Sequence, residues 1–288
     1  MAFKSLLDGF ILPNGVEIPC VGFGTWQTPD GRVAEAAVKA ALDAGYRHID
    51  GASAYQNENS VGAALKAYGI ARGGVFLTSK LANRVRGYNE TKTALDNTLG
   101  DLQTDYLDLY LVHWPNPSSF RDCWEEKNAE TWRAFEDLLD AGKLRSIGVS
   151  NFHAHHLDAL YKTARVKPMV NQIRLCPGET QEEVVKATRE RGILLEAYSP
   201  FGGSGPANVL KAGLVTEIAG SLGKTAAQVC VRWCLQHGFL PLPKSASAAH
   251  IAANADVFGF EISGDDMLRL DKLTGYKSPF PHPDHVTW

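Results

Sequence analysis

Residues Gly45–Gly62 read "GYRHIDGASAYQNENSVG", and the meaning given to this stretch decides the fold. It lies between two segments of helical periodicity, Val33–Ala44 and Asn57–Tyr68. The link between them, Tyr46–Asp50, has the length of a strand. A connecting strand this short should be apolar, yet it carries His48 and Asp50, and Tyr55 follows on the loop that leaves it. Ionisable groups at such a place need a reason.

Working outward, short apolar runs alternate with helical stretches along the whole chain. The strand candidates are Cys20–Gly24, Tyr46–Asp50, Val75–Lys80, Tyr106–His113, Ser146–Val149, Met169–Ile173, Ile193–Ala197 and Leu240–Pro243. Between them stand helix-period segments such as Asn89–Asp101, Ala129–Ala141, Ala154–Thr163, Thr180–Arg191 and Thr225–His237. This alternation predicts a parallel sheet. Eight strands in 288 residues predict a closed (β/α)8 TIM barrel rather than an open doubly wound sheet. Ahead of them, Pro13-Asn14-Gly15 signals a small N-terminal β-hairpin. No linker or low-complexity block divides the chain, so residues 1–288 are expected to form one domain.

Composition narrows the function. Hydrophobic residues make up 44% and charged residues 21%, as in ordinary globular proteins. A net charge of −3 without a Lys/Arg run argues against nucleic-acid binding. No apolar stretch is long enough to span a bilayer, and the N-terminus lacks a signal-peptide layout. The five cysteines are scattered and odd in number, so no disulfide framework is expected, and a reducing cytoplasm fits. Cys230 and Cys234 share a helix face and read as core residues.

Three motifs are decoys. "GFGTWQ" (Gly22–Gln27) lacks the third glycine of a dinucleotide fingerprint. "GKT" (Gly223–Thr225) lacks the earlier glycine of a phosphate-binding loop and reads as a turn and helix cap. "HAHH" (His153–His156) has no carboxylate or cysteine near it in sequence, so no metal is expected.

Barrel strands present functional residues at their C-terminal ends. Three consecutive candidates end in ionisable groups: Asp50, Lys80 and His113. Period-two spacing lets all three point into the barrel mouth. Singly, Asp50 could be a turn or cap residue, Lys80 a snorkelling surface group and His113 a satisfied core histidine. Their coincidence at adjacent strand ends favours function. A tyrosine titrates near ~10 and is a poor acid at neutral pH. An ammonium beside Tyr55 lowers that value, a carboxylate holds the ammonium, and a neutral histidine orients an oxygen. Such a set suits protonation of an oxyanion, as forms when a carbonyl receives a hydride.

The segments "GYRHIDGASAYQNE", "TSKL", "DYLDLYLVHWP", "GVSNF", "VNQI", "AYSP" and "PKS" occur in an order and spacing that resembles the aldo-keto reductases over essentially the whole chain. The likeness is greatest to bacterial members of the methylglyoxal and 2,5-diketogluconate reductase type. The resemblance implies Tyr55 as general acid, tuned by Lys80 and Asp50, with His113 orienting the carbonyl. It implies NADPH as cofactor, with NADH possible, lying extended across the barrel top without a glycine fingerprint. Tyr198 would stack on the nicotinamide, Ser150, Asn151 and Gln172 would bind its carboxamide, and Thr25 and Trp26 would sit nearby. Lys244 and Ser245 resemble anchors for the adenosine 2′-phosphate, and Asn254 an adenine contact. A phosphate site after the last strands is common in this fold.

Departures from the family pattern matter. His250 stands where an arginine commonly clamps the 2′-phosphate, and a mostly neutral imidazole cannot form that bidentate fork. NADPH is then still preferred through Lys244, but less strongly. Ala82 replaces a frequent tryptophan of the substrate wall, which predicts a wider pocket between Trp26 and Trp114. Arg174 replaces a usual acidic residue, whose part Glu196 could take, and Cys176 replaces a usual histidine. The expected activity is NADPH-dependent reduction of aldehydes and ketones, bulkier or aromatic ones included, by a chain expected to be monomeric. The reverse reaction, as an alcohol or sugar dehydrogenase, uses the same residues, and a barrel that binds cofactor without turnover is the reading that the Asp50–Tyr55–Lys80–His113 set opposes.

Overall fold

The computed structural model describes residues 3–276 and 280–288. Two short antiparallel strands, β1 (Gly9–Ile11) and β2 (Glu17–Pro19), form the expected hairpin. Its turn relies on Gly15 at φ +83°, a left-handed conformation that glycine adopts without a steric penalty. Buried Leu12 and Ile18 fix the hairpin to the core, and Asn14 Nδ2 donates to the Arg145 carbonyl at 2.8 Å. Arg145 lies just before a barrel strand, so the hairpin covers the end of the barrel at which strands enter.

The eight barrel strands are β3 (Phe23–Gly24), β4 (His48–Asp50), β5 (Phe76–Leu81), β6 (Leu109–Val112), β7 (Ile147–Ser150), β8 (Val170–Arg174), β9 (Leu194–Tyr198) and β10 (Leu240–Leu242). Each pairs in parallel with the next in sequence. Gly22 N donates to Pro241 O and Gly24 N to Pro243 O, both at 3.0 Å, which closes β3 against β10. Around them run α1 (Arg32–Asp43), α2 (Glu58–Tyr68), α3 (Tyr88–Asp101), α4 (Trp124–Asp140), α5 (Ala154–Tyr161), α6 (Glu182–Glu190), α7 (Gly213–Leu222), α8 (Ala226–Gln236), α9 (Ala248–Ala255) and α10 (Gly264–Asp271). The architecture is the (β/α)8 barrel that the alternation implies.

Two differences from the sequence reading have local causes. Helix α4 starts at Trp124 rather than Ala129, because Glu125 and Glu126 in its first turn favour the positive end of the helix dipole. Helices α7 and α10 lie outside the helix-period segments named from the sequence. The second is started by Ser263, whose Oγ accepts from Asp266 N at 3.1 Å.

Strand alternation sends His48 and Asp50 of β4, Thr78 and Lys80 of β5, Gln172 of β8 and Glu196 of β9 to one side, where they meet. All six are buried. Ile49 and Leu77, at the intervening positions, join the main apolar cluster instead. The space enclosed by these strands is therefore filled partly by a polar column, and each of its members needs a partner.

Gly22 is shaped by this column and not by phosphate binding. A Cβ there would lie 2.6 Å from both His48 Nδ1 and Leu242 Cδ2. Gly22→Ala should therefore cost about 1–3 kcal/mol through overpacking. A lowered urea midpoint with an unchanged slope checks this, and a midpoint equal to wild type would contradict it.

Candidate active site

At the strand C-termini opens a cavity of ≈ 330 Å³. Lys80, the penultimate residue of β5, reaches its floor with no exposed surface. Its Nζ donates to Asp50 Oδ1 at 2.6 Å and Oδ2 at 2.9 Å, and to Gly51 O at 2.8 Å. It also lies 3.3 Å from Tyr55 Oη. Tyr55 comes from a 3-10 turn, Ser53–Tyr55, that folds the chain back over β4. Ser53 Oγ ties this turn to Lys80 O at 3.0 Å. His113, just beyond β6, places its ring 5.9 Å from the Tyr55 ring, edge to face. Asp50, Tyr55 and His113 line the cavity, and Lys80 stands behind them.

Burial sets the charge states. It pushes the Tyr55 hydroxyl up, an effect that Lys80 counters only partly and Asp50 reinforces. The ammonium was expected to lower the tyrosine, and burial outweighs it. Tyr55 therefore keeps its proton at neutral pH. For Lys80, burial alone would depress the amine, but Asp50 and Tyr55 more than compensate and the net shift is upward. His113 is held well below its ordinary value by burial, then by Lys80 and Arg86, so its ring is neutral. Its Nδ1 is buried without a hydrogen-bond partner among the described residues.

The remaining expected residues divide. Trp26, Trp114, Ser150, Asn151, Gln172, Tyr198 and Lys244 border the same cavity. Ser150 Oγ donates to Gln172 O at 2.8 Å, and Tyr198 Oη to Asn151 Oδ1 at 2.9 Å. Asn151 takes φ +63°, a left-handed conformation that asparagine tolerates better than most residues. Its Nδ2 donates to His113 O at 3.0 Å, which joins the loops after β6 and β7. Thr25 does not border the cavity. It is buried, with Oγ1 donating to Asp50 O at 2.9 Å, and so supports the carboxylate's strand. Ser245, His250 and Asn254 also stand away from the cavity, on α9 and the loop before it. Ser245 caps a turn, His250 is exposed and Asn254 is buried.

Ala82 directly precedes Asn83, which borders the cavity. Ala82 itself is buried, and its carbonyl accepts from Arg86 Nη1 at 3.2 Å. Arg86 escaped the sequence reading altogether. Its buried guanidinium also donates to Val85 O at 2.6 Å and Trp114 O at 2.5 Å, which stitches the loops after β5 and β6 together. Arg174 is buried and paired with Glu179. Burial pushes the Cys176 thiol up to about 12, which leaves it an unreactive core group.

The C-terminal segment completes the pocket. Trp288 packs 5.6 Å from Trp114, and Phe280 lies 6.2 Å from Trp26. The segment is held by Ser118 N donating to Trp288 O at 2.9 Å and by Asp284, which accepts from Asn116 Nδ2 at 2.9 Å. Asp284 also supplies the carboxylate that the histidine run lacks in sequence. Its Oδ1 is 2.8 Å from His156 Nε2 and its Oδ2 is 3.0 Å from His155 Nε2. His156 Nδ1 accepts from His153 N at 3.1 Å, so a neutral ring must carry its proton on Nε2, facing Asp284. As folded, that nitrogen is a hydrogen-bond donor and not an open metal ligand.

With this geometry in view, comparison with known proteins is decisive. Residues 20–274 match the aldo/keto reductase family. The chain is 44% identical over 282 residues to the glyoxal reductase of Bacillus subtilis (strain 168), covering 98% of both chains. A crystal structure of an aldo/keto reductase from Brucella melitensis is similar at 40% identity and a TM-score of 0.86, covering 94% of this chain and 99% of that one. The Bombyx mori aldo-keto reductase in complex with NADP is similar at 31% identity and a TM-score of 0.86, covering 98% and 97%. The chain thus belongs to the aldo/keto reductase family, NAD(P)H-dependent oxidoreductases that act on carbonyls. No helix among the described residues is long and apolar enough to cross a membrane.

The buried ionisable groups give stability a definite pH dependence. Burial pushes His48 down to about 3 and His153 and His156 to about 4, with His113 also well below its ordinary value. Below about pH 6.5 the unfolded chain therefore binds up to four protons that the folded chain refuses. Burial acts oppositely on Glu58 and Glu196, raised to about 7 and about 8, which hold protons the unfolded chain loses above about pH 4.5. Four histidines against two carboxyls make stability rise with pH from about 5 to 6.5 and turn over near 7. Urea midpoints across this range check the sign, and a midpoint that falls steadily from pH 5 to 6.5 would contradict it.

Proposed function

We propose that this chain reduces small-molecule aldehydes and ketones to alcohols with NADPH, with Tyr55 as the proton donor. One observation carries the reading: a single buried ammonium, Lys80, contacts both oxygens of Asp50 and the hydroxyl of Tyr55 at the floor of the cavity, beside a neutral His113. The residues present fit the cofactor. Gln172 spends both protons of Nε2 on Asp50 and Glu196, so its carbonyl oxygen remains for the cavity, next to Ser150 and Asn151. These groups would hold a carboxamide, with the Tyr198 ring against the nicotinamide. Lys244, also at the cavity, supplies a cation for the phosphate end, with Ser245, His250 and Asn254 further along.

When bound, the reduced nicotinamide supplies a hydride to the carbonyl carbon. The chain's own groups manage the oxygen. His113 Nδ1 has no hydrogen-bond partner among the described residues, and the neutral ring can orient the carbonyl oxygen by a hydrogen bond. Tyr55 Oη donates its proton as negative charge develops on that oxygen. Lys80 stabilises the resulting phenolate, and Asp50 keeps Lys80 charged and in place. Trp26, Trp114, Phe201, Phe280 and Trp288 make the walls predominantly apolar, which favours carbonyls with apolar or aromatic substituents over sugars. The five cysteines are free, which suits a reducing compartment such as the cytoplasm. We take the chain to act as one domain and as a monomer.

Tyr55→Phe should lower carbonyl reduction by about 10²–10⁴-fold while NADPH still quenches tryptophan fluorescence. Reduction at the wild-type rate would end the proposed role. Because Lys244 remains and His250 is exposed and lacks the fork of an arginine, kcat/KM should favour NADPH over NADH by roughly tenfold. Equal or faster turnover with NADH would contradict the assignment.

A further inference from the structure

Beneath the proposed acid lies a carboxyl group that proton transfer does not use. Glu196, on β9, is fully buried. Its Oε2 accepts from Gln172 Nε2 at 2.8 Å, and the same nitrogen donates to Asp50 Oδ2 at 2.9 Å. Glu196 Oε1 lies 3.9 Å from His48 Nε2, which is itself 2.9 Å from Thr78 Oγ1. Gln172 is thus pinned on one side by two carboxyl groups from different strands.

We infer that Glu196 is a positioning residue for the cofactor: together with Asp50 it fixes the rotamer and amide orientation of Gln172, so that the amide presents its carbonyl, and not its NH2 group, to the nicotinamide carboxamide. An amide can rotate by half a turn at little steric cost, and its hydrogen-bond partners decide which end faces where. Asp50 satisfies one N–H of Gln172. Without Glu196 the second is a buried orphan, and the amide gains a reason to turn. Only an acceptor faces the amine of a carboxamide productively. This assignment rests on the reading of Gln172 as a carboxamide contact. It also gives Glu196 the ordering part that Arg174, paired elsewhere, does not fill.

The ionisation of Glu196 adds a second consequence. Asp50 and Lys80 face it across the barrel, and His48, held neutral, flanks it. Burial, reinforced by Asp50, raises the carboxyl to about 8, so it is largely protonated at pH 7 and accepts the Gln172 bond as a neutral acid. Above that pH a second negative charge appears near the carboxamide. That charge attracts the cationic oxidised nicotinamide and not the neutral reduced one.

Cofactor dissociation constants, read from tryptophan fluorescence, test this in two arms. Replacing the carboxyl by an alkyl group in Glu196→Leu should weaken NADPH binding about fivefold, while Glu196→Gln, which can offer a carbonyl to the same N–H, should stay within about twofold of wild type. In wild type, the affinity for NADP⁺ relative to NADPH should rise about threefold from pH 7 to pH 9, and in Glu196→Gln it should stay flat. The second arm needs no variant that loses a hydrogen bond, so poor folding of Glu196→Leu leaves the question decidable. Equal affinities in all three proteins, or the same pH dependence in Glu196→Gln as in wild type, would overturn the inference alone. A wild-type chain that binds neither dinucleotide would overturn the carboxamide reading and this inference with it.

Discussion

The buried ammonium of Lys80 is the constraint around which the barrel top is organised. Removing such an ion from water costs several kcal/mol, so it persists only where opposite charge and acceptors surround it. Asp50 supplies two oxygens and Gly51 a third, all within 2.9 Å. The carboxylate then needs its own partners, and Gln172 provides one. Gln172 in turn engages Glu196, whose neighbour His48 reaches Thr78. Asp50, which looks misplaced in "GYRHID", is a link in one chain of hydrogen bonds from Lys80 through Gln172 to Glu196, across β4, β5, β8 and β9. His48 stands 3.9 Å from Glu196 at the end of this chain, a buried neutral ring bonded to Thr78.

The same constraint shapes the chemistry. A site that keeps an ammonium dry also keeps Tyr55 protonated and His113 neutral, because burial is the largest cause of both shifts. In the mechanism we propose, the ammonium's value lies in the phenolate it would stabilise after the proton has left, more than in any lowering of the resting tyrosine. This is differential stabilisation of the transition state over the ground state. The walls contribute by excluding water, and they are assembled from remote parts of the chain. Trp288 and Phe280 reach Trp114 and Trp26 on a C-terminal segment that Asp284 fastens to Asn116 and to the start of α5, and that Ser118 N holds at Trp288 O.

Much of this was legible in the sequence, for a physical reason. Asp50, Lys80 and His113 lie at or next to the ends of consecutive strands, and the two-residue period of a strand fixes which side each one faces. The barrel was legible because strands and helices alternate with short links. What escaped depended on contacts between distant segments. Nothing in the sequence around Arg86 shows that its guanidinium holds three carbonyls. The histidine run lacked a carboxylate only because Asp284 comes from the far end of the chain. Thr25, between the cavity-lining Gly24 and Trp26, spends its hydroxyl on the Asp50 carbonyl, a contact across to β4 that the motif alone does not state. The direction of the Tyr55 shift was misjudged because burial cannot be read from residue types alone.

The central claim is that Asp50 acts on catalysis through Lys80 and not directly. A double-mutant cycle of Asp50→Asn and Lys80→Met, followed by NADPH-dependent carbonyl reduction with folding checked by circular dichroism, tests it most directly. If the two residues act as a unit, the double variant will be no slower than Lys80→Met alone, and the two losses will be far from additive. Losses that multiply, with Asp50→Asn slowing the reaction as much without Lys80 as with it, would contradict the account.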